Sequence, residues 1–212
     1  MNNWFYVICL LTAYGSAAFQ DNTLERLTKA VPYYYQYDNQ HEGPRACNIT
    51  SVAMVLDHFN VLKDIKPNLR TPDYLYQRFG IKQQPEQLAD IFNTVAKENN
   101  VQVRDTLYTS GTIDQLRNHV MKGLPAIVHG WFTEAGHILV VTGFDGKHYT
   151  VNDPAGRWNL KKFGEGKYDT SQSGQQILYP ATEFEFAIND NGTGDDLWLH
   201  LFSKVSADIT TK

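Results

Sequence analysis

Three residues whose side chains can together form a hydrolytic site occur along the chain in the order Cys47, His137 and Asp153. Cys47 is the second residue of ACNITSVAMVLDHF, His137 begins HILVVTGF, and Asp153 ends KHYTVND. A thiolate is the attacking species in cysteine hydrolases, and an imidazole oriented by a carboxylate can accept the proton of the thiol. These residue types therefore predict acyl transfer to water through an activated cysteine.

The residues after Cys47 predict a helix that would position the thiol. Apolar side chains recur at helical spacing and indicate a buried helix; they are Ile49, Val52, Ala53, Leu56 and Phe59. Cys47 would lie on its first turn, and either Cys47 or Asn48 would cap it. A helix N-terminus favours negative charge. The predicted helix would therefore favour the thiolate form of the cysteine.

The segments around His137 predict neighbouring antiparallel strands. LPAIVHGWF, HILVVTGF and KHYTVND are short and rich in β-branched and aromatic residues. The pair Asp145-Gly146 between the last two predicts a hairpin, so Asp153 would return beside His137. A carboxylate there would orient the imidazole and stabilise its protonated form.

The rest of the chain predicts an α+β fold. VPYYYQYDN is typical of an aromatic strand, three helical patterns follow in the middle third, and residues 155–176 have the composition of a long surface loop. With 212 residues and 42% hydrophobic content, one domain over residues 19–212 is expected. We expect the helix carrying the nucleophile to pack centrally on an antiparallel sheet.

A thioester-forming site also needs hydrogen-bond donors for the oxyanion. The backbone N–H of Cys47 is one candidate, and a side-chain amide from the preceding segment is another. We choose Gln36, although the spacing does not decide between Gln36 and Gln40. The choice predicts that Gln36→Ala folds normally and turns over more slowly.

The N-terminus predicts an export signal over residues 1–18. The apolar segment WFYVICLLTAY carries no charge and is followed by small residues, which indicates cleavage after Ala18. No Lys or Arg precedes this segment, so an uncleaved N-terminal anchor is the alternative. We expect a secreted or periplasmic protein without stable membrane insertion once the signal has been removed.

Removal of Cys9 with the signal would leave Cys47 as the one thiol of the mature chain. Such a cysteine forms an intermolecular bridge, packs as a small apolar residue, or acts as a working thiol. The histidines show no metal-ligand spacing, so we expect neither a metal nor another cofactor. A net charge of −4 without a basic run excludes the usual electrostatic footprint of nucleic-acid binding.

Other residues near the predicted site have two interpretations each. His129 could flank the same cleft, but a strand histidine with a satisfied hydrogen bond is favoured. Residues 190–196 contain calcium-loop ingredients without the required downstream Glu, which favours a polar turn. Four tyrosines could line a substrate groove beside Cys47, or could simply alternate between core and rim positions; they are Tyr33, Tyr34, Tyr35 and Tyr37. If they line a groove, Trp131 and Trp158 could form its opposite wall.

Four sequence blocks resemble those of stand-alone peptidases related to the bacteriocin-processing, double-glycine-leader peptidase family. The blocks are YQYDN, ACNITSVAMVLDHF, GHILVVTGF and VNDPAG, and they lie within residues 31–156. The resemblance implies a papain-like fold. It also implies Gln36 as oxyanion donor, Cys47 as nucleophile, and His137 and Asp153 as the rest of a triad.

Two departures limit what the resemblance implies. Asn48 follows the nucleophile where leader peptidases usually have Gly, and the membrane and nucleotide-binding segments of their transporters are missing. Cleavage after a double glycine is therefore not implied.

The sequence supports three functional hypotheses. The leading one is a cysteine peptidase that cleaves proteins or small peptides through a thioacyl intermediate. The second is an amidase or endopeptidase that acts on peptidoglycan stems, or an antibacterial effector, with the same triad. The third is a papain-like binding module in which Cys47 is packed and inert. Whether a protein inhibitor binds is left open by the sequence.

Overall fold

The structure, a computed structural model, describes residues 30–62 and 68–205. Their helices are α1 (Cys47–His58), α2 (Thr71–Phe79), α3 (Pro85–Glu98), α4 (Ile113–Val120) and α5 (Ala181–Ile188). Their strands are β1 (Val103–Gly111), β2 (Ala126–Gly130), β3 (His137–Phe144), β4 (His148–Asn152), β5 (Arg157–Trp158), β6 (Tyr168–Asp169), β7 (Ile177–Pro180) and β8 (Leu197–Lys204). Within the described ranges, every helix is too short or too polar to cross a bilayer.

Six strands form one sheet in the order β1, β8, β2, β3, β4 and β7, and every neighbouring pair is antiparallel. β5 and β6 pair in a separate ribbon. The predicted hairpin between β3 and β4 is confirmed, and Gly146 supplies the positive φ of 94° that its turn requires. The hairpin brings the end of β4 back beside the start of β3.

Helices cover both faces of the sheet and bury two apolar clusters. One cluster joins α1 and α3 to the sheet and includes Ile49, Val52, Leu56, Leu88, Phe92, Ile127, Ile138, Val140 and Phe202. The other joins α4 and α5 to the opposite face and includes Leu116, Val120, Val128, Leu139, Val141, Phe184 and Leu199. Successive residues of β3 enter opposite clusters, which explains why this strand is almost continuously apolar.

α1 is the central helix of the first cluster. Its residues are buried without interruption from Asn48 to Leu56, so it is enclosed on all sides. Burial of each large aliphatic side chain contributes roughly 1.5–3 kcal/mol, which fixes the helix firmly against the sheet. The predicted α+β fold, with a central N-terminal helix packed on an antiparallel sheet, is confirmed.

Three predictions of local secondary structure are wrong. Residues 155–176, predicted to be a long surface loop, contain the β5–β6 ribbon and the buried Trp158. Residues 31–35 form no ladder, and Gln36–Asp38 form a 3-10 helix, although VPYYYQYDN predicts a strand. Conversely, β1 lies in a region where only helices are expected. The predicted signal at residues 1–18 lies outside the described residues, and the single domain over 19–212 stays a prediction.

Candidate active site

Cys47 is the first residue of α1 and its side chain is partly exposed. The N-cap is Ala46, which has no side chain able to cap the helix. No group in the described ranges accepts a hydrogen bond from the backbone N–H of Cys47 or Asn48. The positive end of the helix therefore faces the thiol and favours negative charge there.

The predicted cap by Cys47 or Asn48 is wrong, because both residues lie within the helix and Ala46 is its N-cap. The side chain of Asn48 is turned inward. Its side-chain Nδ2 donates to the carbonyl of Lys82, and its Oδ1 accepts from the N–H of Ile49 at 2.7 Å. Asn48 is fully buried. The residue after the thiol thus ties the start of α1 to the loop that precedes α3.

His137 connects the thiol to Asp153. Its Nε2–H donates to Oδ1 of Asp153 at 2.8 Å. The Cys47 thiol is close enough to the ring to raise its pKa, and both residues line the same cavity. The ring packs against Tyr168 at 4.7 Å between centroids and against the edge of Phe132 at 6.1 Å. The structure therefore brings Cys47, His137 and Asp153 into one chain of contacts.

The charge state of His137 follows from opposing effects. Burial disfavours its charged form, but the charge and hydrogen bond of Asp153, together with the neighbouring Cys47 thiol, outweigh burial and raise the pKa of His137 to about 10. The imidazolium is therefore the favoured form at neutral pH. A thiolate beside an imidazolium is the reactive pair of cysteine hydrolases.

Asp153 is fully buried, yet its polar atoms are satisfied. Oδ1 also accepts from the N–H of Ala155 at 3.1 Å, and Oδ2 accepts from the hydroxyl of Tyr179 at 3.1 Å. The carbonyl oxygen of Asp153 accepts from the hydroxyl of Tyr33 at 3.1 Å. These bonds fix the carboxylate in the orientation that holds the imidazole.

A hydrogen bond one turn behind the thiol joins α1 to β3. The hydroxyl of Ser51 donates to the carbonyl of Ile138 at 3.2 Å, and Ile138 directly follows His137. The helix that carries the nucleophile and the strand that carries the imidazole are thus connected within one turn of the site.

Gln36 lies beside the same loop, with 2% of its surface exposed. Its Nε2 donates to the carbonyl of Gly43 at 2.7 Å, and its backbone N–H donates to the carbonyl of Pro154 at 2.9 Å. Because the Gly43 carbonyl can only accept, the amide nitrogen must face it, and one N–H of that nitrogen remains unused among the described residues. The role of this N–H toward an oxyanion stays a prediction.

Gln40, the alternative donor, has a different setting. Its side chain is exposed, and its backbone N–H donates to Oδ1 of Asp73 at 2.8 Å. Of the two glutamines, only Gln36 has its side-chain amide bonded to the loop that leads into Cys47.

A cavity of about 210 Å³ lies beside Cys47 and His137. Its wall includes side chains from a loop before α3, from β2, from the turn before β8 and from β8 itself: Gln83, His129, Trp131, Asp190, Asp196 and Trp198. Trp131 thus lines the cavity as the groove hypothesis expects. Trp158 does not, because it is 2% exposed and packs in the core, so its predicted role as a wall is wrong.

The sequence alone does not point to four of these residues. No pattern singles out Gln83 or Trp198, and the composition of residues 190–196 favours only a polar turn. That turn directly precedes β8, and β8 lies next to β2 in the sheet, which brings Asp190 and Asp196 to the cavity. The composition of the turn was the only available signal.

His129 is both hydrogen-bonded and part of the cavity wall. Its Nε2 lies 3.0 Å from Nε2 of His200, and Nδ1 of His200 donates to Oδ2 of Asp105 at 2.7 Å. The favoured interpretation of a satisfied strand histidine therefore holds, and the ring also flanks the cleft. In the described part of the chain, no group of three His, Cys, Asp or Glu residues is arranged to hold a metal ion.

Comparisons with known proteins identify the family and the fold. The family model described as the Peptidase C39-like family matches residues 28–180, whereas no sequence among the curated proteins matches significantly. A Bacillus anthracis protein described as a C39-like peptidase has 16% identity and a TM-score of 0.53, over 82% of this chain and 96% of its own.

A double-glycine motif protease from an AMS/PCAT transporter, solved in complex with the leader peptide, is also similar. It has 16% identity and a TM-score of 0.50, over 84% of this chain and 96% of its own. These likenesses concern the fold, and together with the family match they confirm the resemblance to peptidases of the bacteriocin-processing type. The chain therefore belongs to the Peptidase C39-like family, and its family and papain-like fold together support a cysteine peptidase.

Proposed function

We propose that the protein hydrolyses peptide bonds through Cys47, His137 and Asp153. The observation that carries the proposal is the contact chain itself: a partly exposed thiol at an uncapped helix N-terminus, beside an imidazole held by a buried carboxylate at 2.8 Å. Partial exposure of Cys47 also argues against the inert module, which requires a packed thiol.

The proposed reaction has two halves. The thiolate of Cys47 attacks the carbonyl carbon, and a C–S bond forms while the carbonyl electrons move to oxygen. The imidazolium of His137 then gives its proton to the leaving nitrogen, the C–N bond breaks, and a thioester remains. Water attacks the thioester, His137 takes one proton from that water, and the C–S bond breaks to release the acid and the thiolate.

Asp153 and the helix end support these steps without changing charge. Asp153 orients the ring and stabilises the imidazolium between the two proton transfers. The backbone N–H of Cys47 has no acceptor in the described part of the chain and is available to the oxyanion, with Gln36 as the proposed second donor.

We further propose that the protein works outside the cytoplasm. An uncharged apolar segment followed by Gly15, Ser16, Ala17 and Ala18 has the form of a cleaved signal. Expression of the full chain, fractionation and mass analysis should give an exported product that begins at Phe19. A product that keeps residues 1–18 and sediments with membranes would support the anchored alternative instead.

The hydrolytic function is tested by comparing the wild type with Cys47→Ala and His137→Gln. Each protein is incubated with an unstructured protein and, separately, with purified peptidoglycan, and new fragments are identified by mass spectrometry. We expect the wild type alone to cut the protein and to form an acid-quenched thioester adduct at Cys47. If only peptidoglycan stems were cleaved, the substrate would be the cell wall and not protein. Absence of both activities would contradict the proposal.

A further inference from the structure

The cavity beside Cys47 is lined by groups that attract positive charge. Asp190 is exposed and Asp196 is half-buried; Oδ2 of Asp196 accepts from the N–H of Asn191 at 2.5 Å. The other oxygen of Asp196, Oδ1, is buried and has no partner among the described residues. Trp131 and Trp198 are 36% and 42% exposed, and the faces of indole rings attract cations.

The wall formed by His129 adds no positive charge to the cavity. Burial and the neighbouring His200 hold the pKa of His129 well below its ordinary value, so His129 is neutral at neutral pH. Its ring is bonded to His200, and His200 is bonded to the carboxylate of Asp105. The neutral ring of His129 does not oppose a cation.

One lysine lies close to the two carboxylates. Lys162 donates to the carbonyl of Asn189 at 2.8 Å, and its ammonium lies over the rings of Phe163 and Phe186 at 4.7 and 4.5 Å. Lys162 is not among the residues that line the cavity. One ammonium against the carboxylates of Asp190 and Asp196 leaves an excess negative charge at this end.

The cavity also has a size that suits one side chain. Its volume of about 210 Å³ is below the roughly 300–1,000 Å³ of sites that enclose a whole small-molecule ligand. Because Cys47 and His137 are part of its wall, a side chain inside the cavity would belong to a residue near the bond under attack.

We propose that this cavity is a specificity subsite for a cationic side chain of the substrate, one that carries an amine or a guanidinium. The inference rests on the proposed peptidase function, since it assigns a substrate class to the same thiol. Asp190 and Asp196 supply the charge, Trp131 and Trp198 supply faces for the alkyl stem and the cation, and His129 completes the wall.

The test uses peptides with a thiol-alkylating ketone at the C-terminus and either Lys, norleucine or Glu at each of the three preceding positions. Norleucine is an unbranched, uncharged counterpart of Lys. The second-order rate of Cys47 alkylation is followed by intact mass. At one position we expect Lys to react about tenfold faster than norleucine, equivalent to ~1.4 kcal/mol, and Glu to react more slowly than both.

Variants then separate a local subsite from a general effect of charge. Asp196→Asn should lower the ratio of the Lys rate to the norleucine rate. The double variant Asp190→Asn, Asp196→Asn should bring this ratio close to one. Asp195→Asn is the matched control. It removes the same charge from the residue directly before Asp196, and Asp195 does not line the cavity. It should keep the ratio of the wild type. Equal rates for Lys and norleucine at every position would overturn the proposal, as would an equal loss of preference in Asp195→Asn and Asp196→Asn.

Alkylation does not require turnover, so the two proposals can fail separately. A Lys preference in alkylation without hydrolysis of the matching peptide would overturn the peptidase and keep the subsite. Hydrolysis with no preference for charge would overturn the subsite and keep the peptidase. Failure of every peptide to alkylate Cys47 would overturn both.

Discussion

Gly174 lies directly against the backbone of Asp153: a Cβ at position 174 would stand 1.8 Å from the carbonyl oxygen of Asp153. The N–H of Asp153 also donates to the carbonyl of Gly174 at 2.8 Å. The N–H of Gly174 in turn donates to the hydroxyl of Tyr33 at 3.0 Å, and that hydroxyl donates to the Asp153 carbonyl. The absence of a side chain at position 174 therefore determines where the carboxylate beside His137 can lie.

Gly174→Ala should displace Asp153 and weaken catalysis. Overpacking of this kind costs about 1–3 kcal/mol of unfolding free energy, and a displacement of about 1 Å near a reacting group can cost about a hundredfold in rate. Urea unfolding and kcat/KM are the measurements. Gly164→Ala is the control, because a Cβ there meets no atom within 4 Å. Similar behaviour of the two variants would contradict the proposed importance of this contact.

Asp153→Asn should shift the pH dependence of activity. Burial of His137 would remain while the carboxylate that raises its pKa is lost, so the pKa of His137 should fall from about 10. The alkaline limb of kcat/KM should then move to lower pH. Activity at neutral pH should also fall, by up to about 10⁴-fold, as in serine triads with the same replacement.

Asp38→Asn is the control for this profile. It makes the same change of charge at an exposed carboxylate that does not bond His137. Its alkaline limb should match that of the wild type. An unchanged limb in Asp153→Asn would show that another group sets the charge of His137.

His137 should also make stability depend on pH. Its pKa is raised from 6.5 to about 10 in the folded protein, so its stabilising contribution is fully present below the unfolded value and is lost as the pH rises through about 10. The difference in unfolding free energy between the wild type and His137→Gln should therefore decrease between pH 7 and 10. Urea titrations at several pH values measure it, and a constant difference would refute the raised pKa.

Gln36→Ala should lose both stability and turnover. We still expect the variant to fold, but with lower stability, since the side chain is 2% exposed and bonded to Gly43 and loss of a buried hydrogen bond costs about 1–3 kcal/mol. Loss of an oxyanion donor should lower kcat about 10²–10³-fold. Here kcat is calculated per active thiol, and the concentration of active thiol is measured by alkylation. Gln40→Ala is the comparison, and a larger loss of kcat in that variant would reverse the assignment.

The central helix and the hairpin could be predicted because their signals are local. Apolar spacing after Cys47 and the Asp145-Gly146 turn each act over a few residues, and together they place the thiol, the imidazole and the carboxylate on neighbouring elements. The start of α4 also carries a local signal, since Thr112 and Gln115 form a capping box there.

The errors arise where distant partners decide the structure. β1 carries Arg104, Asp105 and Thr106 and lies at the edge of the sheet, where pairing with β8 outweighs its weak apolar pattern. In the segment that begins at Val31, the hydroxyl of Tyr35 donates to the carbonyl of Thr170 at 2.6 Å. Such long-range bonds replace a strand ladder and cannot be inferred from composition. The cavity cannot be inferred from local patterns for the same reason, because its wall combines four regions of the chain: Cys47, Gln83, residues 129–138 and residues 188–198.

The position of β8 between β1 and β2 also bears on when the protein becomes functional during its synthesis. Cys47 emerges from the ribosome early, but Leu197–Lys204 must be translated before the middle of the sheet can be completed. We expect the nascent polypeptide to stay without a finished cleft until β8 has been translated. This order of assembly would delay the proposed peptidase activity until that point of synthesis.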